Sequence, residues 1–334
     1  MLIGLAVGAW AGQRVMIREQ ARIVAAGACR GLCYHSAMKD SRSRFLDIRG
    51  LRLHLREWGR AGAPRLYLLH GWMDASASFQ FMVDELAGDW HVIAPDWRGF
   101  GLSAWSHADG YWYPDYFADL DAILHAVEGE DTAPVRLVGH SMGGNIALMY
   151  AGIRPARVGR IVVLDAFGLP DRAAAEAPGR YQKWLRELSE VPRPRAYPSR
   201  EALAERLRQD NPRLDAWRAA WLAEALAQAD ERDEGKGWRI AGDPLHRRVN
   251  PVLYRRAEAE ACWRRVTAPV LAIEPASADL RERIGVSDED HAAAFACFSS
   301  IEVRRVEDAG HNLHHDQPRR IAEIVEAFFL SDGQ

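Results

Sequence analysis

The stretch Gly139-His140-Ser141-Met142-Gly143-Gly144 constrains this 334-residue chain more than any other. It follows Val135-Arg136-Leu137-Val138, a short apolar run that reads as a buried strand, and precedes Asn145 to Ala151, which reads as a helix. Passing from strand to helix within one residue forces that residue into a strained backbone conformation. Gly139 and Gly143 let so tight a turn close without steric collision. A serine held there has its hydroxyl clear of the sheet, with a helix N-terminus behind it to stabilise negative charge. G-x-S-x-G arises by chance in many chains, but between a strand and a helix it predicts a nucleophile.

The rest of the chain repeats the same alternation. Arg44 to Ile48 and Leu51 to Trp58 read as an antiparallel hairpin about Gly50. Leu66 to Leu69, Val92 to Ala94, Ile161 to Leu164, Val270 to Ile273 and Ile301 to Val303 read as further strands. Helical patterns cover Phe79 to Leu86, Tyr116 to Val127 and Arg319 to Leu330. Two-sided apolar strands alternating with helices predict an α/β fold whose mostly parallel central sheet has helices on both faces. Between Gly168 and about Arg265 the sequence turns charged, alanine-rich and helical, with Trp184, Trp217, Trp221 and Trp238 spaced through it and no clear strand. That segment should form a helical lid inserted before the last two strands, its tryptophans packing mostly onto the body. The expected organisation is an N-terminal extension at 1–40, a core at 41–167 and 266–334, and a helical cap at 168–265.

Composition bounds the partners. An apolar share of 48%, a charged share of 27% and a net charge of -3 are ordinary for a soluble globular protein and give no reason to expect nucleic acid. Only three lysines, Lys39, Lys183 and Lys236, stand among 43 basic residues, a bias that fits a GC-rich coding sequence better than an arginine patch. Cys29 and Cys33 lack the companions of a zinc site, Cys262 and Cys297 sit in apolar runs, and nothing suggests a disulfide framework. The expectations are therefore a cytoplasmic protein with no cofactor, no metal and no stable membrane insertion, acting on a small molecule. Met1 to Gly12 is apolar but too short to span a bilayer, and the residues after Arg14 resemble a basic amphipathic helix. The extension is expected to be poorly ordered, or to precede the true start at Met38. Mass-spectrometric detection of Met38 as the native N-terminus checks this.

A serine hydroxyl needs a base to remove its proton, and histidine titrates closest to working pH. Of twelve histidines, His311 follows a strand, sits after Gly310 and precedes the closing helix, the late loop from which a side chain reaches the elbow. His314 and His315 read as supporting or exposed residues, and His140 as pointing away along the turn. A third group must hold the imidazole in one tautomer. Asp165, ending the strand after the elbow, and Asp279, in the loop after Ile273, both preserve the chain order serine, acid, histidine. Asp165 is favoured because a rigid strand end holds geometry better than an irregular run. The backbone N–H groups of Met142 and Trp72 are the expected oxyanion donors, while His70, Asp96 and Arg98 are expected to brace their own loops.

Taken in order, His70-Gly71-Trp72, Asp96-x-Arg98-Gly99-x-Gly101-x-Ser103, Gly139 to Gly143 and Gly310-His311 resemble the α/β-hydrolase superfamily. The resemblance runs from about Phe45 to Leu330. Leu69 to Asp74 and Asn250-Pro251-Val252-Leu253-Tyr254 are similar to its serine hydrolase-like proteins, whose substrates are not firmly assigned. The resemblance implies Ser141 as nucleophile, His311 as base, and Trp72 and Met142 as the oxyanion hole. The glycine of the family's Gly-x-x-Asp after the strand at Val270 to Ile273 is missing, and relatives with that irregularity place the acid where Asp165 stands. Haloalkane dehalogenases and epoxide hydrolases of this superfamily carry aspartate at the elbow, so serine argues against both. The expected activity is a serine hydrolase cleaving a small carboxylic ester through an acyl-enzyme. The alternatives are carbon–carbon, lactone or amide cleavage, acyl transfer, or a non-catalytic ligand receptor on the same fold.

Overall fold

Strands that are apolar on both sides are stable only when both faces of their sheet are covered. The computed structural model describes residues 38–129, 133–190, 194–230, 237–277 and 279–331. Expectations for residues 1–37, Cys29 and Cys33 included, lie outside them. In chain order the strands are β1 (Ser41–Ile48), β2 (Leu51–Trp58), β3 (Arg65–Leu69), β4 (His91–Pro95), β5 (Val135–His140), β6 (Val158–Leu164), β7 (Ala227–Ala229), β8 (Trp238–Ile240), β9 (Val270–Pro275) and β10 (Ile301–Val306). Eight of them form one sheet in the order β1-β2-β4-β3-β5-β6-β9-β10. Only β2 runs against its neighbours; from β4 to β10 every pairing is parallel.

Alternation along these strands divides the core in two. Tyr67, Leu69, Ile93, Leu137, Ile161, Val163, Val270 and Ala272 face α2 (Tyr113–Glu128), α3 (Met142–Ile153) and α7 (Arg256–Trp263). The intervening Leu66, Leu68, Val92, Val138, Val162, Leu164, Leu271 and Ile273 face α1 (Gln80–Glu85) and α11 (Pro318–Leu330). Each such buried side chain contributes about 1.5–3 kcal/mol over its exposed state, so the sheet is held by burial from both sides. No helix among the described residues is long and apolar enough to cross a membrane.

Between β6 and β9 the chain leaves the sheet through α4 (Ala177–Leu188), α5 (Arg200–Asp210) and α6 (Ala216–Leu226). Here β7 and β8 pair as a small antiparallel ribbon, which the sequence reading missed because three-residue strands show no period. Leu203, Leu214, Ala219, Leu222 and Leu226 bury against one another and against Phe81 of α1. Trp217 and Trp221 pack on the Phe81 ring at 5.7 and 5.4 Å, as expected of tryptophans seating this segment on the body. Farther along, the His246 ring is stacked between Phe100 and Tyr111 at 3.6 and 3.8 Å. After β9 come α8 (Asp279–Ile284) and α9 (Asp288–Phe295). The hydroxyl of Ser287 caps α9 by accepting from the Asp290 N–H. The short α10 (Leu313–Asp316) precedes α11.

One ion pair ties α2 to the loop after β4. Arg98 grips the fully buried Asp119 with two hydrogen bonds of 2.6 Å, while Arg49 reaches it from the surface at 3.0 Å. Removing the guanidinium leaves a buried carboxylate with one solvated partner. Arg98→Met should therefore lower unfolding free energy by about 3–5 kcal/mol, read as a fall in the urea midpoint at unchanged slope.

Candidate active site

The turn at Ser141 is built by close approach of backbone to backbone. Ser141 has φ 51, a left-handed value for a non-glycine residue, and its N–H continues the sheet ladder by donating to the Leu164 carbonyl at 3.0 Å. A Cβ on Gly139 would stand 2.5 Å from the Gly144 Cα, and one on Gly143 would run into the Leu69 carbonyl. Only glycines let α3 start this close to the ends of β3 and β5. Strain of this kind costs on the order of 1–3 kcal/mol and persists because the surrounding packing dictates it.

Beside this turn, at the end of the adjacent strand β6, Asp165 is likewise left-handed, with φ 48, and is buried. Its N–H donates to the Ile273 carbonyl of β9 at 2.9 Å. Its Oδ2 lies 2.7 Å from Nδ1 of His311, which arrives on the loop between β10 and α10. Asn145 of α3 accepts from the Gly168 N–H at 2.9 Å and braces the chain after Asp165. On the other side, Asp316 accepts from the Gly310 N–H at 2.8 Å and from the Asn211 amide at 2.7 Å, joining the histidine loop to the end of α5. Ser141 Oγ and the His311 ring are not hydrogen-bonded in this conformation, as is common before substrate tightens such a contact. Among the described residues, neither the Trp72 nor the Met142 backbone N–H is engaged by another group. The Trp72 side chain is 52% exposed.

Two further buried carboxylates, Glu274 and Asp96, have partners of their own. Glu274, at the end of β9, is taken by His291 at 2.5 Å. Asp279 opens α8, and its side chain lies outside what is described. Asp96 accepts from Ser76 N–H at 2.7 Å, Leu102 N–H at 2.9 Å and the His54 ring at 2.7 Å. Burial alone would raise its pKa, but the hydrogen bond from His54 overcomes this and holds the carboxylate well below its ordinary range. His70 accepts from the Trp97 N–H through Nε2 at 2.9 Å, so its Nδ1 donates to the Gly71 carbonyl at 2.8 Å. Asp96, Arg98 and His70 thus brace loops, as expected.

One histidine departs from expectation. His140 does not point away: its Nε2 lies 2.9 Å from the His311 carbonyl, with the two rings 4.6 Å apart. Of the two readings of His314 and His315, the structure gives the supporting one: both are buried, and both Nε2 atoms reach the Ser78 hydroxyl, at 3.1 and 2.6 Å. Burial pushes the pKa of His140 well below its ordinary value, with the neighbouring His311 adding to the effect. Nothing local in the sequence marks these side chains as buried, since a histidine run next to a helix start reads as polar. Of the sequence-predicted residues, Asp165 and His311 are brought into direct contact, Ser141 and Met142 into the adjoining turn.

The family model described as "Alpha/beta hydrolase family" matches residues 66–324, and the chain belongs to this family. A serine hydrolase-like protein of Danio rerio is 31% identical over 182 residues, which cover 52% of this chain and about half, 54%, of that protein. A 3-hydroxybutyrate-oligomer hydrolase of Cupriavidus necator is 29% identical over 287 residues, 83% of this chain and 92% of that one. Among solved structures, the thioesterase domain from the curacin biosynthetic pathway superposes with a TM-score of 0.76 at 23% identity, covering 86% of this chain and 99% of that domain. It shares the fold.

The neutral buried histidines set an acid limit on stability. Burial lowers the pKa of His70 from 6.5 to about 4 and that of His246 to about 3. Each therefore binds fewer protons folded than unfolded. Their contribution is complete above pH 6.5 and is lost as pH falls towards about 4. Urea unfolding followed across that window should show stability falling by about 1.4 kcal/mol per pH unit for each such histidine, with a shallower slope in His70→Asn.

Proposed function

We propose that this chain is a serine hydrolase acting on a small carboxylic ester through an acyl-enzyme, with Ser141, His311 and Asp165 as its triad. The observation that carries the reading is the 2.7 Å contact between His311 Nδ1 and Asp165 Oδ2 beside the strained Ser141 turn. Asp165 accepts a hydrogen bond from the Nδ1–H, which stays on the ring, leaving the Nε2 lone pair to take the proton of Ser141 as its oxygen attacks the carbonyl carbon. The carbonyl oxygen becomes an oxyanion, received by the backbone N–H groups of Met142 and Trp72; Met142 is the first residue of α3, where the helix dipole adds to the effect. Collapse of the tetrahedral intermediate expels the alcohol, which takes its proton from His311. Water repeats the sequence on the acyl-serine and releases the acid. Glu274 is engaged by His291, which supports Asp165 as the acid. The C. necator relative, whose name describes hydrolysis of an oligomer of a hydroxy acid, supports an ester substrate. Residues 168–265 act as the cap that bounds the acyl site.

An activated serine reacts with a fluorophosphonate probe, so the folded protein should label on Ser141 and Ser141→Ala should not. Absence of labelling on the native protein points instead to a binding role. Turnover of a panel of p-nitrophenyl esters of varied chain length should fall about 10⁴-fold in Asp165→Asn, as expected for loss of the tautomer-fixing carboxylate. Wild-type turnover in that variant, with loss in Asp279→Asn, overturns the assignment.

A further inference from the structure

Behind the proposed triad lies a second cluster that ester hydrolysis does not use. One donor atom from each of Asp74, His140 and His314 lies within 4.8 Å of the other two. Nδ1 of both histidines is buried without a hydrogen-bond partner. A buried polar atom left unpaired is costly, and here two of them sit in one cluster with a carboxylate.

The hydrogen bonds around the cluster fix which nitrogen is free. His140 Nε2 faces the His311 carbonyl, an acceptor only, at 2.9 Å, so Nε2 carries the proton and Nδ1 a bare lone pair. Ser78 has one proton to give and two lone pairs to receive. His315 Nε2 also meets the Ser78 carbonyl, an acceptor only, at 3.2 Å and so carries a proton, while His314 Nε2 lies 3.1 Å from the hydroxyl and its Nδ1 has no hydrogen-bond partner. An imidazole that donates one N–H to a backbone carbonyl or fixed hydroxyl and aims its other nitrogen inward is the pattern of a metal ligand with its supporting contacts. The space that a Cβ on Gly71 would fill lies 2.9 Å from His140 Nδ1, and the glycine leaves it open.

We propose that Asp74, His140 and His314 form a binding site for a divalent transition ion of the zinc class, and that its occupancy switches the neighbouring site off. Two imidazole nitrogens and one carboxylate oxygen suit zinc or cobalt, with a fourth position left for water. Coordination uses the carboxylate form of Asp74, and any proton that it carries passes to solvent. The inhibitory part rests on the function proposed above; the binding does not. Donors around a tetrahedral zinc stand about 3.4 Å apart, so a cluster spread over as much as 4.8 Å must contract by about 1.4 Å. Each ligand sits within three residues of a proposed catalytic group: Asp74 after Trp72, His140 before Ser141, His314 after His311. Contraction therefore drags the oxyanion loop, the nucleophile turn and the base loop together, and misplacement by about 1 Å costs on the order of 10²-fold in rate.

The test uses the full chain, stripped with EDTA and titrated with Co²⁺ alone as a visible probe. One equivalent should bind with a d–d absorption band that Zn²⁺ abolishes by displacement. Asp74→Asn and His314→Gln should each weaken binding by about tenfold or more. Circular dichroism shows whether each variant folds, and either one suffices if the other does not. Zn²⁺ just sufficient to saturate the wild type should slow its p-nitrophenyl ester turnover by about 10²-fold, reversibly with EDTA, and each variant should need about tenfold more zinc or higher for the same inhibition. No stoichiometric band, or a band unchanged in both variants, overturns the site. A band with zinc-insensitive turnover in the wild type overturns the switch. If the native protein hydrolyses no ester at all, the cobalt titration still decides the binding.

Discussion

The geometry of this protein depends on one backbone collision avoided. α3 starts so close to the ends of β3 and β5 that no Cβ fits at residue 139 or 143, and Ser141 is held left-handed between them. With the Ser141 N–H still bonded to Leu164, the turn is an extension of the sheet rather than a loop attached to it. Its position is therefore as rigid as the two buried layers on either side. The hydroxyl, the helix N-terminus and the first N–H of α3 are all placed by packing some distance away, before any catalytic contact is made.

Asp165 repeats this logic one strand over. It too is left-handed and tied back into the ladder, here through Ile273 of β9. Two strained residues thus end neighbouring strands, and one of them, Asp165, meets His311. The histidine itself comes from a loop and needs external support, which Asp316 supplies through Gly310. Rigid strand ends fix two corners of the arrangement, and a hydrogen-bonded loop brings in the third.

Much of this was legible in the sequence for a definite reason. Strands such as Leu66 to Leu69 and Val270 to Ile273 are buried on both faces, so their apolar runs are unbroken, and Gly139 and Gly143 mark the turn at first reading. Between Asp165 and Asp279 the sequence favours Asp165 because it ends a strand, but which carboxylate meets the histidine depends on their placement in space. The pairing of Glu274 with His291, which removes one competitor, has no local signature either. The β7–β8 ribbon is too short for a period. Hardest to see were His140 and His314, since burial of a polar side chain follows from what packs over it rather than from its neighbours in the chain.

Asp316 has one oxygen on the loop that carries His311 and the other on Asn211, at the end of a cap helix. Cap and imidazole therefore share a tether. With His311 as the proposed base, an acyl group large enough to prise the cap outward would also pull on the imidazole, so bulky molecules would suffer in turnover as well as in affinity. Size discrimination of that kind acts at proton transfer and needs no wall to block entry.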